Sequence, residues 1–218
     1  MTIGFVHTTT THAATFNELA DELIPGVERF HIVDESLLSD TRKAGTLTPA
    51  TKRRVLTYIA SAVEAGADVV VVTCSSIGPA VDESRAFVPV PVLRIDEPMV
   101  VEACRHGSRI GVLATLTTTL EPTIDLIGRH VREVTVTSHV CPGAFDALQA
   151  ADHDRHDELV RAGLREIVGE VDVVVLAQAS MARIIDALPE EERPVPILSS
   201  PRLGMRRVAE LVTAAGRT

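Results

Sequence analysis

Apolar and polar positions along this chain fall into two periods. Short β-branched runs bounded by turn-forming residues alternate with longer stretches in which apolar residues return every three or four positions. The first kind predicts strands at Thr2 to His7, Phe30 to Val33, Asp68 to Thr73, Val90 to Ile95, Arg109 to Thr115, Glu133 to Val140, Val171 to Ala177 and Val195 to Leu198. The second predicts helices over Ala14 to Leu23, Pro49 to Glu64, Pro98 to Arg105, Thr119 to His130, Asp154 to Val168 and Arg202 to Ala215. Between its ends Asp68 to Thr73 is unbroken valine, which suits a strand covered on both faces. Alternating strands and helices imply parallel sheets with helices on either side.

The pattern occurs twice. Ile3-Gly-Phe-Val-His-Thr-Thr-Thr matches Ile110-Gly-Val-Leu-Ala-Thr-Leu-Thr, Asp68-Val-Val-Val-Val-Thr-Cys-Ser-Ser matches Asp172-Val-Val-Val-Leu-Ala-Gln-Ala-Ser, and Val90-Pro-Val-Leu matches Val195-Pro-Ile-Leu. From Ile3 to Ile110, Asp68 to Asp172 and Val90 to Val195 the offsets are 107, 104 and 105 residues. One such match is common in α/β chains; three in order at a steady offset indicate duplication. A length of 218 residues alone would leave one large domain or two small ones open, and the repeat favours two halves.

Composition narrows the partners. Aromatic residues are 3%, with no Trp and one Tyr, so an aliphatic core is expected and the composition argues against an aromatic stacking platform for single-stranded nucleic acid. A net charge of -9 repels phosphate backbones, which argues against nucleic acid. Three cysteines without a CxxC pair point to a reducing compartment. The start, Met1-Thr-Ile-Gly-Phe-Val-His, has no basic and apolar leader, and no apolar run approaches the roughly 18 residues of a span, so a soluble cytoplasmic protein without a membrane partner is expected.

Ligands of parallel sheets bind beyond the carboxyl ends of the strands. Those positions hold His7, Thr8 and Thr9 with Thr10; Cys74, Ser75 and Ser76; Thr115, Thr117 and Thr118; and Gln178, Ala179 and Ser180. If the halves face one another, these four loops line one cleft, rich in hydroxyls and N–H groups and carrying a single thiol. Such a lining suits a small carboxylate. GxxxxGK[ST] and GxGxxG are both missing, and no lysine lies in the loops, which argues against a nucleotide cofactor or a pyridoxal Schiff base.

Cys74 can be read as an inert cysteine at the end of a core strand. It also precedes a helix expected to begin near Ile77, whose amino terminus would favour thiolate. Cys104 lies within a helical pattern and reads as packing, while Cys141 ends a strand before Pro142-Gly143 and is open to either reading. In Asp152-His-Asp-Arg-His-Asp157 the two histidines sit one turn apart, but the stretch reads better as a helix cap followed by a solvated first turn than as a metal site.

Taken together, Val72-Thr-Cys-Ser-Ser-Ile-Gly-Pro-Ala, Pro91-Val-Leu-Arg-Ile-Asp-Glu-Pro and Ile110-Gly-Val-Leu-Ala-Thr resemble the aspartate/glutamate/hydantoin racemase superfamily, which includes maleate isomerase and arylmalonate decarboxylase. The resemblance covers essentially the whole chain. It implies an α/β fold of two pseudo-symmetric four-stranded parallel-sheet domains, here residues 1–97 with 201–218 and residues 98–200, with the active site in the cleft between them and neither pyridoxal phosphate nor metal. Members typically carry one cysteine on each thiol loop. Cys74 matches the first; Leu176-Ala-Gln-Ala-Ser-Met puts Gln178 where the second is expected, and an amide cannot exchange a proton at neutral pH as a thiol does.

The expectation is a cofactor-independent isomerase or lyase acting next to the carboxylate of a small acid. Cys74 would be the acid/base or nucleophile and Gln178 a hydrogen bonder that orients the substrate. Two alternatives stand beside it: a racemase recruiting His7 or Cys141 as second base, and a carboxylate-binding protein that has lost catalysis. A homo-oligomer is compatible with each.

Overall fold

The computed structural model describes residues 1–216. The chain divides into two compact units, one comprising Met1–Glu97 and the stretch from Pro201 on, the other Pro98–Ser200. The first unit runs β1 (Thr2–His7), α1 (Thr10–Leu23), β2 (Glu28–Val33), α2 (Ser36–Ala44), α3 (Pro49–Glu64), β3 (Val69–Val72), α4 (Gly78–Ser84) and β4 (Val92–Arg94). The second runs from α5 (Glu97–His106), which begins at the boundary, through β5 (Arg109–Ala114), α6 (Thr117–His130), β6 (Thr135–Val140), α7 (Ala144–Gln149), α8 (His153–Ile167), β7 (Val173–Leu176), α9 (Arg183–Ala187) and β8 (Ile197–Ser199). Helix α10 (Ser200–Ala215) carries the chain back to the first unit.

Each unit holds a four-stranded, all-parallel sheet, ordered β2-β1-β3-β4 in the first and β6-β5-β7-β8 in the second. The register repeats the sequence offsets: Ile3 lies opposite Val69, and Ile110 opposite Val173. The paired motifs have local causes. Asp68 accepts the Thr2 N–H at 2.7 Å, and Asp172 accepts the Arg109 N–H at 2.9 Å, so each aspartate ties the central strand to its neighbour's start. The glycine after each leading isoleucine admits a close neighbour. A Cβ at Gly4 would stand 3.0 Å from Ala67 and 3.1 Å from Ala62, and one at Gly111 would stand 3.2 Å from Ile167.

The valine run divides between two cores, as a strand buried on both faces must. Val70 and Val72 pack with Leu37, Val55 and Ile59, whereas Val69 and Val71 pack with Phe5, Phe16, Met205 and Val208. In the second unit Val174 and Leu176 pack with Val160, Leu164 and Ile167 of α8. Each buried aliphatic side chain contributes about 1.5–3 kcal/mol of transfer free energy, so these layers hold the strand tips and their loops in place. Among the described residues, no helix is long and apolar enough to cross a membrane.

Candidate active site

In the first unit the thiol loop leaves β3 at Thr73 and turns at once into a 3₁₀ turn, Ser75–Ile77, with Cys74 at its extended N-cap. Helix α4 follows directly. Cys74 is half-buried, while Ser75 and Ser76 are buried. Burial pushes the thiol up; the Thr8 hydroxyl, the Ser76 and Ile77 N–H groups and the Ser76 hydroxyl all act the other way. These are the donors that a thiolate needs, gathered from the β1 loop and the amino end of the turn.

Behind the loop stands a buried ion pair. Arg94 donates from Nε and Nη2 to the two oxygens of Asp96, at 3.0 and 2.9 Å, and from Nη1 to Asp82 at 2.9 Å. Burial would raise the Asp96 carboxyl, but the Arg94 charge and hydrogen bonds, with the Ser75 hydroxyl, hold it below the usual carboxylate range. Ser75 is thereby anchored to a fixed charge. Gly78 makes room for it: a Cβ there would lie 2.4 Å from the Arg94 guanidinium carbon.

His7 is fully buried, and both of its ring nitrogens are engaged, Nδ1 with Thr73 Oγ1 at 2.7 Å and Nε2 with His31 Nδ1 at 2.8 Å. Burial first, then neighbouring His31 and His12, bring it down to about 3. It therefore supports the Thr73–Cys74 turn from behind, and neither nitrogen is left for a substrate or for service as a second base. Thr9 is half-buried at the N-cap of α1, its hydroxyl 3.0 Å from that of Thr11.

The second unit repeats the loop with different chemistry. Gln178 is the extended N-cap of a 3₁₀ turn, Ala179–Ala182, that also contains Ser180. Its Oε1 accepts from the Thr115 N–H at 2.5 Å and from the Thr115 hydroxyl at 2.9 Å. Thr8 and Cys74 in one unit thus correspond to Thr115 and Gln178 in the other, each threonine donating to the residue at the strand tip. Thr117 is exposed at the start of α6, and Thr118 Oγ1 is buried without a hydrogen-bond partner.

Cys141 is buried in the α8 core, where burial pushes its thiol up to about 11, and Gly163 lies against its sulfur. That removes it as a second base. Asp152 caps α8 through the Arg155 N–H, as the sequence suggests, but His156 is not in a solvated turn. It falls on the inward face with Val160, Gly163 and Leu164, and its Nδ1 pairs with Asp157 at 2.9 Å. Among the described residues, no three His, Cys, Asp or Glu side chains cluster as metal ligands would.

Sequence reasoning missed His12, His31, Asn17, Arg94 and Asp96. The strand register offers one signal, since Phe5 and His31 are partners across β1 and β2 and His7 lies two residues along the same face.

Two pseudo-equivalent parallel-sheet units with matching strand-tip loops define a duplicated α/β protein of racemase type. The family model for Asp/Glu/Hydantoin racemase matches residues 3–208, and the chain belongs to this family. A glutamate racemase isoform from Bacillus anthracis is similar in structure, with a TM-score of 0.73 at 17% identity over 99% of this chain and 82% of that one. Allantoin racemase from Klebsiella pneumoniae gives 0.70 at 20% identity over 99% and 89%. An aspartate racemase homologue from Pyrococcus horikoshii gives 0.71 at 17% over 97% and 99%. At these identities the likeness is one of fold. No curated protein matches the chain. The family and fold read from the residues are borne out.

Proposed function

We propose that this chain is a cofactor-independent isomerase or lyase that transfers a proton at the carbon next to the carboxylate of a small acid, with Cys74 as the proton-transferring or nucleophilic group. The observation that carries the reading is the set of donors around one sulfur: Thr8, Ser76 and Ile77 each act against the burial that raises the Cys74 thiol, whereas the equivalent position holds Gln178. Family membership and the racemase neighbours support isomerase chemistry. A thiolate can take the α-proton and the thiol return it, or the thiolate can add to a double bond. The amide of Gln178 exchanges no proton, so its part is to donate from its NH₂ to the substrate carboxylate or to the enediolate that forms. Thr117 and Ser180 supply further hydroxyl donors, while Thr115 is committed to holding the Gln178 amide. Three free cysteines support a reducing compartment such as the cytoplasm.

Turnover of substituted malonates, maleate and amino acids by the wild type, Cys74→Ser and Cys74→Ala tests this reading. Loss of turnover in both variants is expected, with solvent deuterium entering from one face only. Unaltered turnover in both would overturn the role of the thiol. Deuterium in both enantiomers of a substrate would instead indicate a racemase with a second base, which would have to be a group other than the enclosed His7 and Cys141.

A further inference from the structure

A series of hydrogen bonds in the first unit has its direction decided at one end. Arg29 Nε lies 2.6 Å from Asn17 Oδ1, and because a guanidinium only donates, the amide oxygen must face it. The same oxygen is 3.1 Å from His31 Nε2, which therefore carries the proton. His31 Nδ1 then holds a lone pair and accepts from His7 Nε2 at 2.8 Å. His7 Nδ1, in turn a lone pair, accepts the Thr73 hydroxyl at 2.7 Å, a shorter bond than the 3.4 Å to the Val6 carbonyl. With its one proton so used, Thr73 Oγ1 can only accept from His12 Nδ1, 3.5 Å away. His7 and His31 are Nε2–H tautomers; His12 is the reverse, with its lone pair on Nε2.

The surroundings keep all three rings neutral and aligned. Phe5 stacks on His7 and His31, with centroids 5.8 and 5.1 Å apart, and Phe16 meets the His12 ring edge-on at 6.0 Å. Burial brings His12 down to about 4, and burial, then Arg29, lowers His31. A cation at His31 would set two donors against each other, and one at His7 would turn its Nδ1 lone pair into a donor facing Thr73; at His12 it would cap the free Nε2 lone pair.

We propose that this series makes His12 a further specificity-determining residue of the first unit, a neutral imidazole whose Nε2 accepts a hydrogen bond from an N–H or O–H of the substrate. Arg29 dictates its tautomer from five hydrogen bonds away. His12 stands half-buried in the first turn of α1, bonded to Thr73, the residue before Cys74, and its Nε2 makes no hydrogen bond among the described residues. As an acceptor it favours a donor group on the substrate and disfavours a carboxylate oxygen, because two acceptors would meet with no proton between them. The substrate role rests on the function proposed above; the tautomer order does not.

Long-range ¹H–¹⁵N correlation of the imidazole rings at pH 7 tests the order directly. Wild type should show the proton on Nδ1 of His12 and on Nε2 of His7 and His31. Arg29→Met frees the amide to turn and Asn17→Leu removes the acceptor, so each should disturb this pattern at His12. A wild-type His12 protonated on Nε2, or unchanged tautomers in both variants, would overturn the proposal. On a substrate whose turnover needs Cys74, His12→Leu should raise KM about tenfold with kcat changed less than about threefold, and His12→Gln, whose amide oxygen can accept, should restore it. An unchanged KM in His12→Leu overturns the substrate role. Turnover that survives loss of Cys74 sinks the parent reading and leaves the ring pattern standing.

Discussion

Thr115 gives both of its donors, the backbone N–H and the hydroxyl, to a single atom, Oε1 of Gln178. An amide held by its oxygen presents its NH₂ as the end that can reach a ligand. Gln178→Glu keeps an oxygen for Thr115 but replaces the NH₂ with a second, charged oxygen. If the amide donates to a carboxylate, that exchange removes a charge-assisted hydrogen bond of about 1.5–3 kcal/mol and adds repulsion. A fall in kcat/KM of about ten- to hundredfold is expected, with thermal unfolding little changed. Wild-type kcat/KM in Gln178→Glu would take this residue out of the reaction.

Thr8 does for Cys74 what Thr115 does for Gln178, and its loss should be visible without any substrate. Burial raises the Cys74 thiol, and the Thr8 hydroxyl heads the contributions that lower it. Alkylation by iodoacetamide should therefore rise with pH through a midpoint above the ordinary thiol value, because only the thiolate reacts. Thr8→Val removes one donor and should move that midpoint higher still. A midpoint that stays put, or falls, would mean that the hydroxyl does not serve the sulfur.

Much of this architecture was legible because its signals are local and doubled. The first strand and α3 come out at the bounds their patterns predict, and the valine runs define β3 and β7. The helices α2, α7 and α9 were not foreseen. They are short, and α2 buries only Leu37 and Thr41, too little for a helical period to stand out. Cys74 and Gln178 were readable because each follows a strand directly. The Arg94–Asp96 pair was not, since Arg-Ile-Asp in sequence resembles the end of any exposed strand. Its burial follows from Gly78, which lies sixteen residues upstream and leaves the guanidinium its space. The histidine series joins α1, β1, β2 and the thiol loop, a juxtaposition that no single-segment pattern records.

That buried pair has a consequence for both stability and the thiol. Asp96→Asn leaves Arg94 enclosed with only Asp82 to balance it, and breaking a buried pair costs about 3–5 kcal/mol, here toward the lower end. The urea midpoint should drop accordingly, and Ser75 should lose its anchor, altering the rate at which Cys74 is alkylated. Because the Asp96 carboxyl is held below its unfolded value, its contribution is present above about pH 4 and is lost as the pH falls further. Equal urea midpoints for wild type and Asp96→Asn at pH 7 would refute the assignment.

The histidines predict a separate loss of stability at milder acidity. Burial holds His7 at about 3 and His12 at about 4, both well below the ordinary 6.5. A depressed histidine is neutral in the folded chain while the unfolded chain takes up a proton, so its stabilising contribution is complete above about pH 6.5 and drains away as the pH falls toward the folded values. Each such proton costs about 1.4 kcal/mol per pH unit in that window. Between pH 6 and 5 most carboxylates are still ionised in both states, so the histidines dominate the slope. Urea unfolding from pH 7.5 down to 5 should therefore show a midpoint that is level at first and then falls steeply, and His12→Leu should make the decline shallower by about one proton. A midpoint that stays level down to pH 5 would show that the rings accept protons in the folded chain, and the lone pairs assigned to His7 Nδ1 and His31 Nδ1 could not then hold.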